Sequence, residues 1–113
     1  MEEEIASMTA VQLAALIRSR KLSAVEVVRA SLARAERLQP DLNCFITLCA
    51  DQAMDQARQA EQAVMSGASL GLLHGVPFTV KDLVNTAGVR TTFGTLAFKD
   101  HVPQQDAVSV ARL

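Results

Sequence analysis

Two capping boxes near the N-terminus constrain this chain more than any other feature. Thr9-Ala-Val-Gln12 sets a hydroxyl where the first free N–H groups of a helix need an acceptor, with an amide three residues on that reaches back. Leu13, Leu16 and Ile17 then recur at helical spacing to about Arg20. Ser23-Ala-Val-Glu26 repeats the device after a tight turn at Lys21-Leu22. Behind it Val28, Leu32, Ala35 and Leu38 line one face, while Arg29, Arg34, Glu36 and Arg37 lie largely off it. Pro40 is expected to stop this second helix, because the residue before a proline is pushed out of the α region. Amphipathic helices of this length are not stable alone, so something must cover their stripes.

The expected cover is a sheet. Cys44-Phe45-Ile46-Thr47-Leu48-Cys49 is nearly all apolar and predicts a strand buried on both faces. Asp51 is placed to cap a helix over Gln52 to Ser66, closed by Gly67 in the left-handed conformation. Its face of Ala53, Ala57, Ala60 and Val64 is small enough to lie close on a sheet. Val76, Phe78 and Val80 alternate with Pro77, Thr79 and Lys81, which predicts a second strand entered through a proline. A long connection from Asp82 to Gln105 follows, and Asp106 is placed to cap a last helix that runs from Ala107 to Leu113. The fold class expected is α/β, a mixed β-sheet flanked by helices, with residues 1–113 forming one portion of a single domain without an internal boundary. Two strands are too few to cover these helices and the last helix stops at Leu113 without a C-terminal cap, so the chain reads as the opening segment of a larger domain.

Composition narrows the function. Half of the 113 residues are apolar and a fifth are charged, too apolar for intrinsic disorder. Eleven Lys and Arg against twelve Asp and Glu leave no basic excess, and the four aromatics are all Phe. Direct nucleic-acid binding is therefore not expected. Glu2, Glu3 and Glu4 read as a frayed acidic start, the opposite of the basic start of a secretory signal peptide. No window approaches the length of a transmembrane helix, so no membrane association is expected. Cys44 and Cys49 stand at an odd spacing that faces them apart on a strand, in keeping with a reduced, cytoplasmic setting.

Few residues carry chemistry. His74 and His101 stand 27 positions apart and join no Cys, Asp or Glu at ligand spacing, so no metal is expected. Gly67, Gly71 and Gly75 form no phosphate-binding pattern and are better read as turn residues. Lys81 is different. It ends an apolar run and opens the long connection, which in an α/β protein is where the ligand crevice lies. Burial there would disfavour an ammonium and let the amine act as a base near neutrality. The plainer reading is that Lys81 pairs with Asp82 or is solvated.

Three stretches carry a resemblance. Leu73-His74-Gly75-Val76-Pro77-Phe78-Thr79-Val80-Lys81-Asp82, then Thr86-Ala87-Gly88-Val89-Arg90-Thr91-Thr92-Phe93-Gly94-Thr95, then Val102-Pro103-Gln104-Gln105-Asp106-Ala107 resemble the amidase signature family in order and spacing. The likeness is tightest over about Leu72 to Leu113. It implies a serine hydrolase or amidotransferase with a serine–cis-serine–lysine triad, free of metal and organic cofactor. Lys81 takes the place of the family's base, Gly75, Pro77 and Asp82 support the motif, and Thr91 and Thr92 fall in a loop near the active site. Thr95 stands where the family often has serine and keeps the hydroxyl. Neither triad serine can be assigned, because the family's Gly/Ser-rich segment lies downstream of the lysine motif; on this reading both serines lie beyond residue 113 and the isolated chain is inactive.

The resemblance implies a small-molecule amide as substrate. It leaves open whether the parent is a hydrolase, alone or as a homo-oligomer, or the glutaminase component of the tRNA-dependent amidotransferase (its A chain), which frees ammonia from glutamine for partner subunits. A third alternative is a small interaction module that lost catalysis.

Overall fold

The structure, a computed structural model, describes residues 1–113. Both capping boxes form. Thr9 Oγ1 accepts the Gln12 N–H at 3.2 Å, and Gln12 Oε1 accepts the Thr9 N–H at 2.8 Å. Ser23 and Glu26 make the same reciprocal pair at 3.0 and 2.9 Å. They open α2 (Ala10–Arg18) and α3 (Ala24–Leu42). The acidic start is not frayed: Glu2–Ser7 is a helix, α1, anchored by the buried Ile5.

The turn after α2 is closed by Arg20 in the left-handed conformation, φ 59°. The Arg20 N–H donates to Ile17 and the Lys21 N–H to Leu16, so the last carbonyls of α2 are satisfied without glycine. Gly67 does the same for α4 (Ala50–Met65) at φ 75°, as its position predicted. Pro40 and Asp51 depart from expectation. The helix passes through Pro40 and ends two residues later, at a left-handed Asn43 whose N–H donates to Gln39 at 2.7 Å. So near its end, the missing proline N–H removes only one bond of the last turns. Helix α4 begins at Ala50, so Asp51 lies inside its first turn, where a carboxylate favours the N-terminal dipole.

The expected α/β fold is overturned, because the structure contains helices and turns but no strand and no sheet. Alternation marks which side chains share a face; a strand also needs a neighbour to complete its hydrogen-bond ladder. Residues 76–80 and 44–49 show the apolar pattern and have no such neighbour. Phe78, Ile46 and Leu48 are consequently exposed.

The chain packs as two units: Met1–Cys44 with Ala50–Pro77, and Phe45–Cys49 with Phe78–Leu113. In the first, helix covers helix. α3 packs on α1 and α4, and Ile5, Leu13, Ile17, Val27, Ala30 and Val64 make the core. The small face of α4 therefore meets a helix instead of a sheet, with Ala57 and Val64 buried. Long-range side-chain bonds support this packing: Arg20 Nη2 donates to the Val64 carbonyl at 3.1 Å, Arg18 Nη2 to Gly71 at 2.9 Å, and His74 Nε2 lies 2.8 Å from the Ala60 carbonyl. The motif glycine Gly75 sits here at φ 81°, pressed on Ala24 and Ile17. No helix is long and apolar enough to cross a membrane.

The second unit is built from turns, a short 3-10 helix over Leu96–Phe98 and the single-turn helix α5 (Val108–Ala111). Asp106 does not cap α5. Its carboxylate accepts the Ala87 N–H at 2.6 Å instead, while Ala107 donates to Asn85 at 2.8 Å. Gly88 to Pro103 and Thr91 to His101 add two more backbone bonds between the same two stretches.

Candidate active site

The unit boundary falls between Pro77 and Phe78, inside the lysine motif. Gly75 and Pro77 thus belong to the helical unit, and Lys81, Asp82, Thr91 and Thr92 to the second. Lys81 opens a turn in which the Val84 N–H donates to its carbonyl at 2.9 Å. Its side chain is exposed and makes no hydrogen bond or ion pair, so these residues do not desolvate the amine as a buried strand end would.

Asp82 is engaged throughout. Oδ1 accepts the Thr92 N–H at 2.8 Å, and Oδ2 accepts the Thr92 hydroxyl in a very short bond. The Asp82 carbonyl accepts the Phe93 N–H at 3.0 Å. The Thr92 hydroxyl oxygen also accepts the Gly94 N–H at 3.2 Å. Thr91 and Thr92 are both buried, and Thr91 Oγ1 donates to the Val89 carbonyl at 3.1 Å. The structure therefore joins Asp82 to Thr92 beside the turn that begins at Lys81, while Thr91 bonds to Val89 and His101.

The Thr92 hydroxyl is the main reason the Asp82 carboxyl titrates below its ordinary value. The Thr92 and Gly94 N–H groups and the Arg90 charge act in the same direction, against some desolvation. Because the folded value is the lower one, Asp82 stabilises the fold fully above the ordinary aspartate range, and that contribution is lost as pH falls through the folded value. The protection of the Thr92 and Phe93 amides, relative to their intrinsic exchange at each pH, should therefore fall on acidification before that of the helical unit. Asp82→Asn should show the low protection already at neutral pH. Equal protection in the two proteins at neutral pH would refute this.

Nothing in the sequence singles out Arg90, yet the structure gives it three partners. Its guanidinium donates to the Lys99 carbonyl at 2.6 Å, to Thr47 Oγ1 at 3.3 Å and to the Ile46 carbonyl at 3.3 Å. With three of its five N–H donors on neutral oxygens, it staples the 46–47 segment to the loop. Phe93, Phe98 and His101 form an aromatic triangle with centroids 5.3 to 5.7 Å apart. No three His, Cys, Asp or Glu gather where they could hold a metal.

The lysine motif, the Asp82–Thr92 cluster and the paired stretches at 85–91 and 101–107 all lie within residues 26–113, which match the family model described as Amidase. The chain belongs to the amidase family. Among the relatives of this family member, proteins named "Putative amidase AmiD" from Mycobacterium tuberculosis and Mycobacterium bovis are 40% identical over 112 residues, 99% of this chain and 24% of theirs. The A chain of the glutamyl-tRNA(Gln) amidotransferase of Geotalea daltonii is 37% identical over 110 residues, 97% of this chain and 22% of its own. The chain spans about a quarter of the length of the curated relatives it matches.

Proposed function

We propose that this chain supplies the general base, Lys81, of an enzyme that hydrolyses carboxamides through a serine–cis-serine–lysine triad. What supports this reading most directly is the amidase-family match across residues 26–113, which includes Lys81 and Asp82. The unpartnered Lys81 amine agrees with it. Unprotonated, that amine takes a proton relayed through the bridging serine from the nucleophilic serine, whose oxygen attacks the amide carbonyl. Backbone N–H groups hold the oxyanion. The C–N bond breaks, ammonia or an amine leaves with the proton, and water releases the acid. Both serines lie beyond residue 113 on this reading, and no metal or organic cofactor takes part. The setting is the cytoplasm and the substrate a small amide.

The amidotransferase relatives favour a second reading, in which the amide is glutamine and the ammonia passes to a partner protein. Ammonia release from glutamine and from simple carboxamides separates the two. Glutaminase activity that depends on partner subunits and charged tRNA selects the second, and partner-free hydrolysis selects the first. The 113-residue chain alone is expected to be silent on every substrate; turnover by it would refute the assignment of the serines.

A further inference from the structure

Lys81 and Asp82 are adjacent and opposite in charge, and an ion pair is the simplest arrangement for them. The structure shows another. Both Asp82 oxygens are taken by Thr92, one by its N–H and one by its hydroxyl, and Thr92 is only 6% exposed. The Lys81 ammonium is left without a partner. We infer that Thr92 is a positioning residue: by engaging both oxygens of Asp82 it keeps that carboxylate off Lys81 and leaves the amine free to take a proton.

An ammonium paired with a carboxylate is held in its charged form and serves poorly as a base. The inference rests on the reading of Lys81 as the base and gives Thr92 a task within it. Other charges of the loop do not replace Thr92. Arg90 acts on Asp82 from a distance, but three of its donors are committed to Lys99, Thr47 and Ile46. Lys99 and Asp100 are exposed and make no ion pair, and His101 packs in the aromatic triangle. Only a hydroxyl on the 92 side chain can donate to Oδ2, so serine should substitute and valine, its near-isostere, should not.

The test is NMR of the labelled chain, without substrate. In the wild type no coupling across a hydrogen bond is expected between Lys81 Nζ and the Asp82 carboxyl carbon. In Thr92→Val that coupling should appear. Thr92→Ser should show no such coupling, as in the wild type. An unfolded variant would show no Lys81–Asp82 coupling, so a purely structural role for Thr92 does not imitate the expected result. Lys81 paired with Asp82 in the wild type overturns the inference whether or not the variants fold, as does a folded Thr92→Val without the pair. These readouts involve no turnover, so activity that survives loss of Lys81 would count against the proposed mechanism alone.

Discussion

Gly75→Ala should destabilise the helical unit by roughly 2–4 kcal/mol, the sum of a left-handed backbone penalty and overpacking of the core. Gly75 has φ 81°, and a Cβ there would stand 3.1 Å from the Ala24 Cβ and 3.1 Å from the Ile17 Cδ1. Both neighbours are almost fully buried, at 1% and 2% exposure, and cannot swing aside. Gly67 separates the two contributions. It has a similar φ of 75° with nothing within 4 Å of an added Cβ. Gly67→Ala should therefore cost about 1–2 kcal/mol, the backbone part alone. Urea unfolding followed by helix circular dichroism reads both, and equal losses in the two variants would refute a steric role for Ala24 and Ile17. The same comparison explains the motif's glycine without reference to catalysis, since its contacts are with α2 and α3.

Loss of Lys81 should have the largest effect on activity. On the proposed mechanism, Lys81→Met in the parent protein is expected to lower kcat/KM by on the order of 10²–10⁴-fold, the usual contribution of a positioned base. Lys81→Arg should fare no better, because guanidinium keeps its proton at any working pH. Arg34→Ala, on the exposed face of α3, provides the control and should leave turnover unchanged. Steady-state ammonia release measures all three. If Lys81→Arg stayed within tenfold of the wild type, lysine would not be the base.

What can be read in the sequence is local. The capping boxes at Thr9 and Ser23 involve residues three apart, and Gly67 needs only its own helix end; all three form as their patterns predict. Pro40 shows the limit of a local rule, because a helix near its end loses little to a missing N–H. Asp106 stands where a cap for α5 is expected but binds the Ala87 N–H, nineteen residues away, a partner no spacing rule could supply. The sheet fails for the same reason: alternation at Val76, Phe78 and Val80 is a property of one segment, and a ladder needs two. At the candidate site, Lys81, Asp82, Thr91 and Thr92 are legible because they stand in the family motif. That Asp82 binds Thr92 and leaves Lys81 alone is not, and neither is Arg90, whose partners Ile46 and Thr47 are more than forty residues distant.

The path of the chain through its two units has a consequence for synthesis. Phe45–Cys49 leaves the helical unit to join residues that follow Pro77. At roughly 5–20 residues per second, a ribosome makes Arg90 about 2–9 seconds after Thr47. During that interval α1, α2 and α3 can close on one another, while Ile46 and Leu48 wait with no staple. In a nascent chain of this family member the 45–49 segment would lack its Arg90 bonds at that stage, and translation speed through residues 50–90 would set how long it stays unpinned.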